Sequence, residues 1–191
     1  MGIRTGSAQA VSYTHLTLPT TSRRQRQMCI RDSYKTGEII PDELIKKLQE
    51  SSKFNQGFVT TELAGAALLD LEWGKIDGNG IDVPSFEAQV TKKIGMPEEI
   101  TYRYRSPYFK HIFGDDGYAS GYYTYLWAQV LEADAWELFK EKGIFDKKTA
   151  ASFKKNILES GDTEDPMVLF KRFRGHEPDA KALLRLRGFE K

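Results

Sequence analysis

The chain has 191 residues, with 28 basic against 27 acidic side chains and a formal net charge of +1. So even a balance points to no polyanion partner, and nucleic acid is not an expected ligand. A lone cysteine, Cys29, excludes an internal disulfide and a cysteine-built zinc site. No apolar run approaches the ~18 residues that a membrane helix needs.

Residues 1–33 read differently from the rest. They are polar and aperiodic, with Arg23, Arg24 and Arg26 close together. A basic arm for nucleic acid is one reading. A signal peptide is excluded, because no apolar run of about 7–15 residues follows a basic start. A third reading comes from back-translation. Coding Arg23–Asp32 (RRQRQMCIRD) as CGT CGG CAG CGT CAG ATG TGT ATA AGA GAC gives a reverse complement that encodes VSYTHLTLPT, which is Val11–Thr20. The pair resembles the translated adaptor of a transposon-based sequencing library, joined head to head. About 11–33 is therefore set aside as an assembly artefact, and residues 1–10 are of unknown origin. Without 1–33 the chain keeps 23 basic and 26 acidic residues, a net of −3, and no thiol. The native segment, 34–191, opens mid-phrase at Tyr34 without a start codon of its own. It is expected to be a piece of a larger domain.

Helix signals follow in order. Asp42 and Glu43 open a helix after Pro41, which ends near Ser51–Ser52. A second spans about Gln56–Trp73, with Phe58, Leu63, Ala66, Ala67 and Leu71 as its apolar face and Ala64-Gly65-Ala66 permitting close approach. Asp77-Gly-Asn-Gly80 is a turn, without the acidic pattern of an EF-hand. Val83–Ile94 is a short helix ended by Gly95-Met-Pro97. Thr101–Phe113 is aromatic and basic and is expected to be mostly irregular, with Pro107 holding Ser106 extended.

His111-Ile-Phe-Gly-Asp-Asp-Gly-Tyr118-Ala-Ser-Gly-Tyr122-Tyr123-Thr-Tyr125-Leu-Trp127 is the most distinctive stretch. Gly114 and Gly117 are expected to use positive φ, and Asp115 and Asp116 to cap a helix running from Tyr118 to about Lys142. On that helix Tyr118, Tyr122 and Tyr125 stand at i, i+4 and i+7, one face. Tyr123, Trp127, Val130, Leu131 and Asp134 fall on a neighbouring face, so the helix is expected to be largely buried. Gly143 ends it; Asp146 caps a helix to Glu159, stopped by Ser160-Gly161. Asp165-Pro166 opens another to about Arg174, and Pro178–Arg187 is the last. No period-2 stretch survives, and the fold class is all-α.

From pattern alone, a buried tyrosine row is core packing with its hydroxyls hydrogen-bonded to backbone. A longer match alters that reading. The tyrosine stretch, with Tyr34-Lys-Thr-Gly-Glu-Ile-Ile-Pro41, Phe54-Asn-Gln-Gly-Phe58, Tyr104-Arg-Ser-Pro-Tyr-Phe109, Asp165-Pro-Met167 and Phe173-Arg-Gly-His-Glu-Pro178, resembles the C-terminal part of the thimet-oligopeptidase family of zinc metallopeptidases. Within it, the peptidyl-dipeptidase (dipeptidyl carboxypeptidase) branch is the most similar. The resemblance covers about 34–191.

It implies a zincin-type catalytic domain, one zinc ion, short peptide substrates, and removal of C-terminal dipeptides. It also implies that Tyr125 and Tyr118 hold the reacting carbonyl, that His111 and Tyr122 line the site, and that a glycine-rich loop, here Gly114–Gly117, closes over the peptide. The zinc motif H-E-x-x-H is absent: the histidines are His15, His111 and His176, and no two are four apart. The metal ligands are therefore expected upstream of Tyr34, in a missing N-terminal part of the same polypeptide, and this chain alone is expected to be inactive. Arg103 and Arg105, flanking Tyr104, are candidates for the substrate's C-terminal carboxylate; a salt bridge within the protein is the other reading. His176 is expected at the surface. Lys171, Arg172, Arg174, Arg185 and Arg187 interleave with Glu164, Asp165, Glu177 and Asp179, which reads as a salt-bridged face. A cytoplasmic location is expected. The alternative to an enzyme is a non-catalytic helical peptide-binding module.

Overall fold

The computed structural model describes residues 35–77, 79–115 and 117–190; the leader and Asp116 lie outside the described residues. All the regular elements described are helical: α1 Asp42–Ser51, α2 Gln56–Trp73, α3 Val83–Ile94, a 3₁₀ turn Ser106–Tyr108, α4 Lys110–Phe113, α5 Thr124–Lys142, α6 Lys147–Phe153 continuing as a π-helical stretch Lys154–Glu159, α7 Pro166–Arg174 and α8 Ala180–Arg187. The caps follow the sequence. Asp82, Asp146 and Asp165 accept from the N–H groups of Ser85, Thr149 and Met167 at 3.1, 2.7 and 2.7 Å. Gly95, Gly143 and Gly175 close α3, α5 and α7 at φ of +65°, +102° and +93°.

Two compact units emerge, one of residues up to Phe54 with Glu132–Leu183, the other of Asn55–Leu131 with the residues from Leu184. In the second unit, α2 buries two sides. Leu63, Ala66 and Ala67 pack with Phe109, Ile112 and Tyr122; Leu69 packs with Val90, Met96 and Tyr102. Gly65 allows the second contact, because a Cβ there would stand 3.0 Å from Met96 Sδ. Phe58 departs from expectation: it is exposed, as are Tyr123, just before α5, and Trp127 on α5. On α5, Tyr125 and Leu126 pack against the α2 cluster. At the far end of α2, the Arg187 guanidinium donates to Thr60 Oγ1 at 2.6 Å and to Gln129 Oε1.

In the first unit, Phe139, Phe153 and Phe173 meet at centroid distances of 5.2–6.2 Å. Beside them Asp134, 1% exposed, accepts from Arg174 Nε at 2.7 Å and from the Asp179 N–H at 2.9 Å. Arg174 reaches Glu141 as well, at 3.0 Å. Within the basic cluster, Lys171 on Glu177 at 2.6 Å and Arg172 on Glu164 at 2.7 Å are paired as the interleaving foretold, whereas the mostly buried Arg174 and the Arg187 bonded to Thr60 and Gln129 depart from a surface salt-bridged face. His176 is half exposed yet has neighbours: its Nδ1 lies 2.6 Å from the Glu177 carbonyl and 3.8 Å from Asp134.

Removing one member of a buried pair strands the other charge and costs about 3–5 kcal/mol. Arg174→Met should therefore lower the unfolding free energy, measured by urea denaturation, by an amount in that range, whereas Arg172→Met, on an exposed pair, should leave it nearly unchanged. Equal effects would contradict the burial of Asp134.

Candidate functional site

The site is built from the stretch between α3 and α5. Glu87 on α3 is buried and accepts from the Ser106 N–H at 2.6 Å and from Arg105 Nε. Trp73 Nε1 donates to Ser106 Oγ at 2.9 Å. These bonds fix Pro107–Phe109, and so the start of α4. Thr101–Phe113 is thus more ordered than expected, because long-range side chains, not local propensity, satisfy its backbone.

A second carboxylate fixes the other half. Asp70 on α2, 1% exposed, accepts from the Ser120 N–H at 2.9 Å and from the Tyr122 N–H at 2.8 Å. The consequence corrects the expected helix. Tyr118–Tyr123 forms turns, and α5 starts at Thr124. Positive φ falls on Ser120, at +56°, and not on Gly114 or Gly117. Gly114 is needed for another reason: a Cβ there would lie 2.6 Å from the Lys110 carbonyl oxygen. Asp115 caps no helix; it accepts from the Gly117 N–H at 2.8 Å, a two-residue Asx turn.

The tyrosines nevertheless converge. Tyr118 and Tyr125 stack with centroids 5.5 Å apart and planes 12° apart, and Tyr122 lies 4.9 Å from Tyr125. His111 presents its ring edge-on to Tyr118, Tyr122 and Tyr125 at 6.3, 5.5 and 6.3 Å. Tyr104, which the sequence reading left out of the site, stands 5.0 Å from both Phe109 and His111. Its ring also carries the Arg103 guanidinium, 5.8 Å from the centroid. Tyr122 is 4% exposed and belongs to the core wall, while Tyr118 and Tyr125 are half-buried. Gly117 stands apart on the exposed loop.

Electrostatics sharpen the picture. Burial, then the Tyr118 hydroxyl, holds the Tyr125 phenol well above its ordinary range. Burial also pushes Tyr122 up to about 12. Both phenols therefore stay protonated, as donors, at any physiological pH. Burial, then the Arg103 charge, holds His111 below the ordinary histidine value. Its Nδ1 is buried and has no hydrogen-bond partner. The two arginines differ. Arg105 is committed to the buried Glu87, whereas Arg103, similarly exposed, lies against Tyr104 and reaches Glu62 at 3.5 Å.

No group of three His, Cys, Asp or Glu side chains among the described residues could hold a metal ion. No described helix is long and apolar enough to cross a membrane.

Protonated phenols surround a neutral imidazole on a helical scaffold, and comparison with known proteins gives the chain a family. The chain matches Peptidase family M3 over residues 20–189, a match that starts inside the leader. It is 42% identical over 159 residues to dipeptidyl carboxypeptidase of Escherichia coli, covering 81% of this chain and 23% of that protein. Oligopeptidase A of Salmonella typhimurium is 40% identical over 159 residues, with the same two coverages. The organellar oligopeptidase A of Arabidopsis thaliana is 34% identical over 171 residues, covering 86% of this chain and 22% of that protein. The chain belongs to peptidase family M3, and it spans under a quarter of the length of these relatives.

Because the folded value of His111 is depressed, its stability contribution is present above the ordinary histidine pKa and is lost as pH falls through the lower folded value. An NMR titration of the His111 ring should show a midpoint below the ordinary histidine value, and Arg103→Gln should raise it only in part, since burial is the larger cause. A midpoint at or above the ordinary value would contradict the buried site.

Proposed function

We propose that this chain is the substrate side of the catalytic cleft of a zinc-dependent metallopeptidase that hydrolyses short peptides and releases C-terminal dipeptides. Residues 34–191 form the C-terminal segment of its catalytic domain, and 1–33 a non-native leader. The observation that carries the reading is the Tyr125 phenol, held protonated, stacked on Tyr118 and set against a histidine with an unpaired ring nitrogen.

The described residues do not fit zinc. The metal that the family uses belongs to a part of the polypeptide outside this chain, and the chain by itself is inactive. What its own residues supply is donation. When a nucleophile adds to a peptide carbonyl, negative charge develops on the oxygen, and a donor aimed there contributes about 2.7–4 kcal/mol. Tyr125 is the donor, with Tyr118 as the second phenol beside it. The raised pKa keeps Tyr125 from ionising and lets it shed no proton to bulk water. Tyr122 and His111 form the wall that sets both rings, and His111 Nδ1 is the buried polar atom in that wall without a hydrogen-bond partner. The Gly114–Gly117 loop, with Gly117, is the segment that closes over the peptide.

Arg103 is the better carboxylate anchor of the two arginines. It is half exposed, it lies against Tyr104, and its one carboxylate neighbour, Glu62, is at the limit of an ion pair. Arg105 serves Glu87 and so positions Ser106.

Two measurements test these assignments in the polypeptide rejoined to its zinc-binding part. Tyr125→Phe should lower kcat by about 10²–10³-fold with KM little changed. Undiminished turnover would show that the ring, not the hydroxyl, matters. Arg103→Gln should weaken kcat/KM on free-acid peptides by about tenfold or more and leave C-terminally amidated peptides nearly unaffected. Equal losses on both would remove the anchor role.

A further inference from the structure

Asp70 is a carboxylate on the otherwise apolar run Ala66-Ala-Leu-Leu-Asp-Leu71, and it is almost completely buried. Among the described residues it has no ion-pair partner. Its two oxygens each take one main-chain N–H, Oδ1 from Ser120 and Oδ2 from Tyr122, on a segment fifty residues along the chain. Between these two N–H groups the chain goes through Ser120 at φ +56°, a conformation that a serine does not choose unaided. The same segment presses on α2 at Gly74, where a Cβ would fall 1.9 Å from Ser120 Oγ. Tyr122 is bonded directly, Tyr118 precedes the turn, and Tyr125 follows it in the first turn of α5.

We propose that Asp70 is a positioning residue of the tyrosine site: its carboxylate sets the Ser120–Tyr122 turn and thereby the relative placement of the Tyr118 and Tyr125 hydroxyls. This rests on reading those phenols as carbonyl donors. An aspartate is required because both donors are N–H groups. The amide of an asparagine has one acceptor oxygen and would turn an NH₂ against the second N–H. A tight fit of this kind matters because donors act only when aimed at the reacting oxygen, and a misplacement of about 1 Å is worth ~10²-fold in rate. A role confined to folding would affect all of α2 and α5 alike. A positioning role affects the turn first.

The test uses Asp70→Asn and Asp70→Ala. In the 191-residue chain, hydrogen exchange should quicken by about tenfold or more at the Ser120 and Tyr122 amides, with Ala beyond Asn, and stay unchanged at Leu69 and Val130. In the polypeptide rejoined to its zinc-binding part, Asp70→Asn should lower kcat by about 10–100-fold with KM within about twofold. Exchange that quickens uniformly along α2 and α5, or activity lost only in proportion to the unfolded fraction, overturns the proposal. So does wild-type kcat in Asp70→Asn when Tyr125→Phe is impaired. Full activity in Tyr125→Phe overturns the donor reading itself, and this inference with it. Should the alanine variant not fold, the asparagine variant decides.

Discussion

Two main-chain N–H groups, those of Ser120 and Tyr122, end on the two oxygens of one buried carboxylate, Asp70. Without an internal acceptor those groups would be stranded beside an apolar helix, at a cost of about 1–3 kcal/mol each. With it, a turn of six residues replaces what would have been the first turns of α5. The rest of the site follows. Tyr122 is driven into the wall against Leu63 and Phe109, and Tyr125 comes round beside it. Tyr118, no longer part of the helix, folds back to stack on Tyr125.

The same device recurs where irregular backbone meets the core. Glu87 takes the Ser106 N–H, and Asp134 takes the Asp179 N–H. In both cases an arginine accompanies the carboxylate, Arg105 and Arg174 respectively. Asp70 differs in having only backbone donors, which fits its place next to the phenols. A cation there would compete for the carbonyl oxygen's lone pairs or lower the phenol pKa values. Burial keeps Tyr122 and Tyr125 protonated, against the lowering pull of Arg103 on Tyr122.

Much of the architecture was legible because it is local. Asp146 and Asp165 as caps, and glycines at 95 and 143, mark helix ends that appear within a residue or two of expectation. The tyrosine row was legible as a cluster and misread as a helix face. Spacings of four and three residues suit an α-helix, and nothing local to 118–123 announces Ser120 at positive φ or an acceptor at position 70. A hint was present in Asp70 itself, a lone acid among alanines and leucines. Tyr104 was passed over for a similar reason. Its stacking on Phe109 and His111 depends on the Glu87 and Trp73 bonds that shape the segment after it, and those come from other helices. Phe58, Tyr123 and Trp127 carry the spacing of buried residues and are exposed, so apolar period alone does not say which face finds a partner.

One polar atom in the cluster breaks the pattern of satisfaction. His111 Nδ1 is buried and unbonded, within a shell of Tyr104, Phe109, Tyr118, Tyr122 and Tyr125 rings. An orphaned buried nitrogen is destabilising, and a structure that satisfies Asp70, Glu87 and Asp134 so fully has the means to satisfy it. Its neutrality, held by burial and by the Arg103 charge, makes the cost tolerable without removing it. The economical explanation is that the partner is transient. A peptide group entering the cluster would meet a ring nitrogen already desolvated and aimed, and two phenols already protonated. Those groups would then need little reorganisation, which is the condition under which hydrogen-bond donors accelerate a reaction. On that view the unsatisfied atom and the clamped turn have one origin: the scaffold is rigid where the donors are held, and incomplete where the substrate belongs.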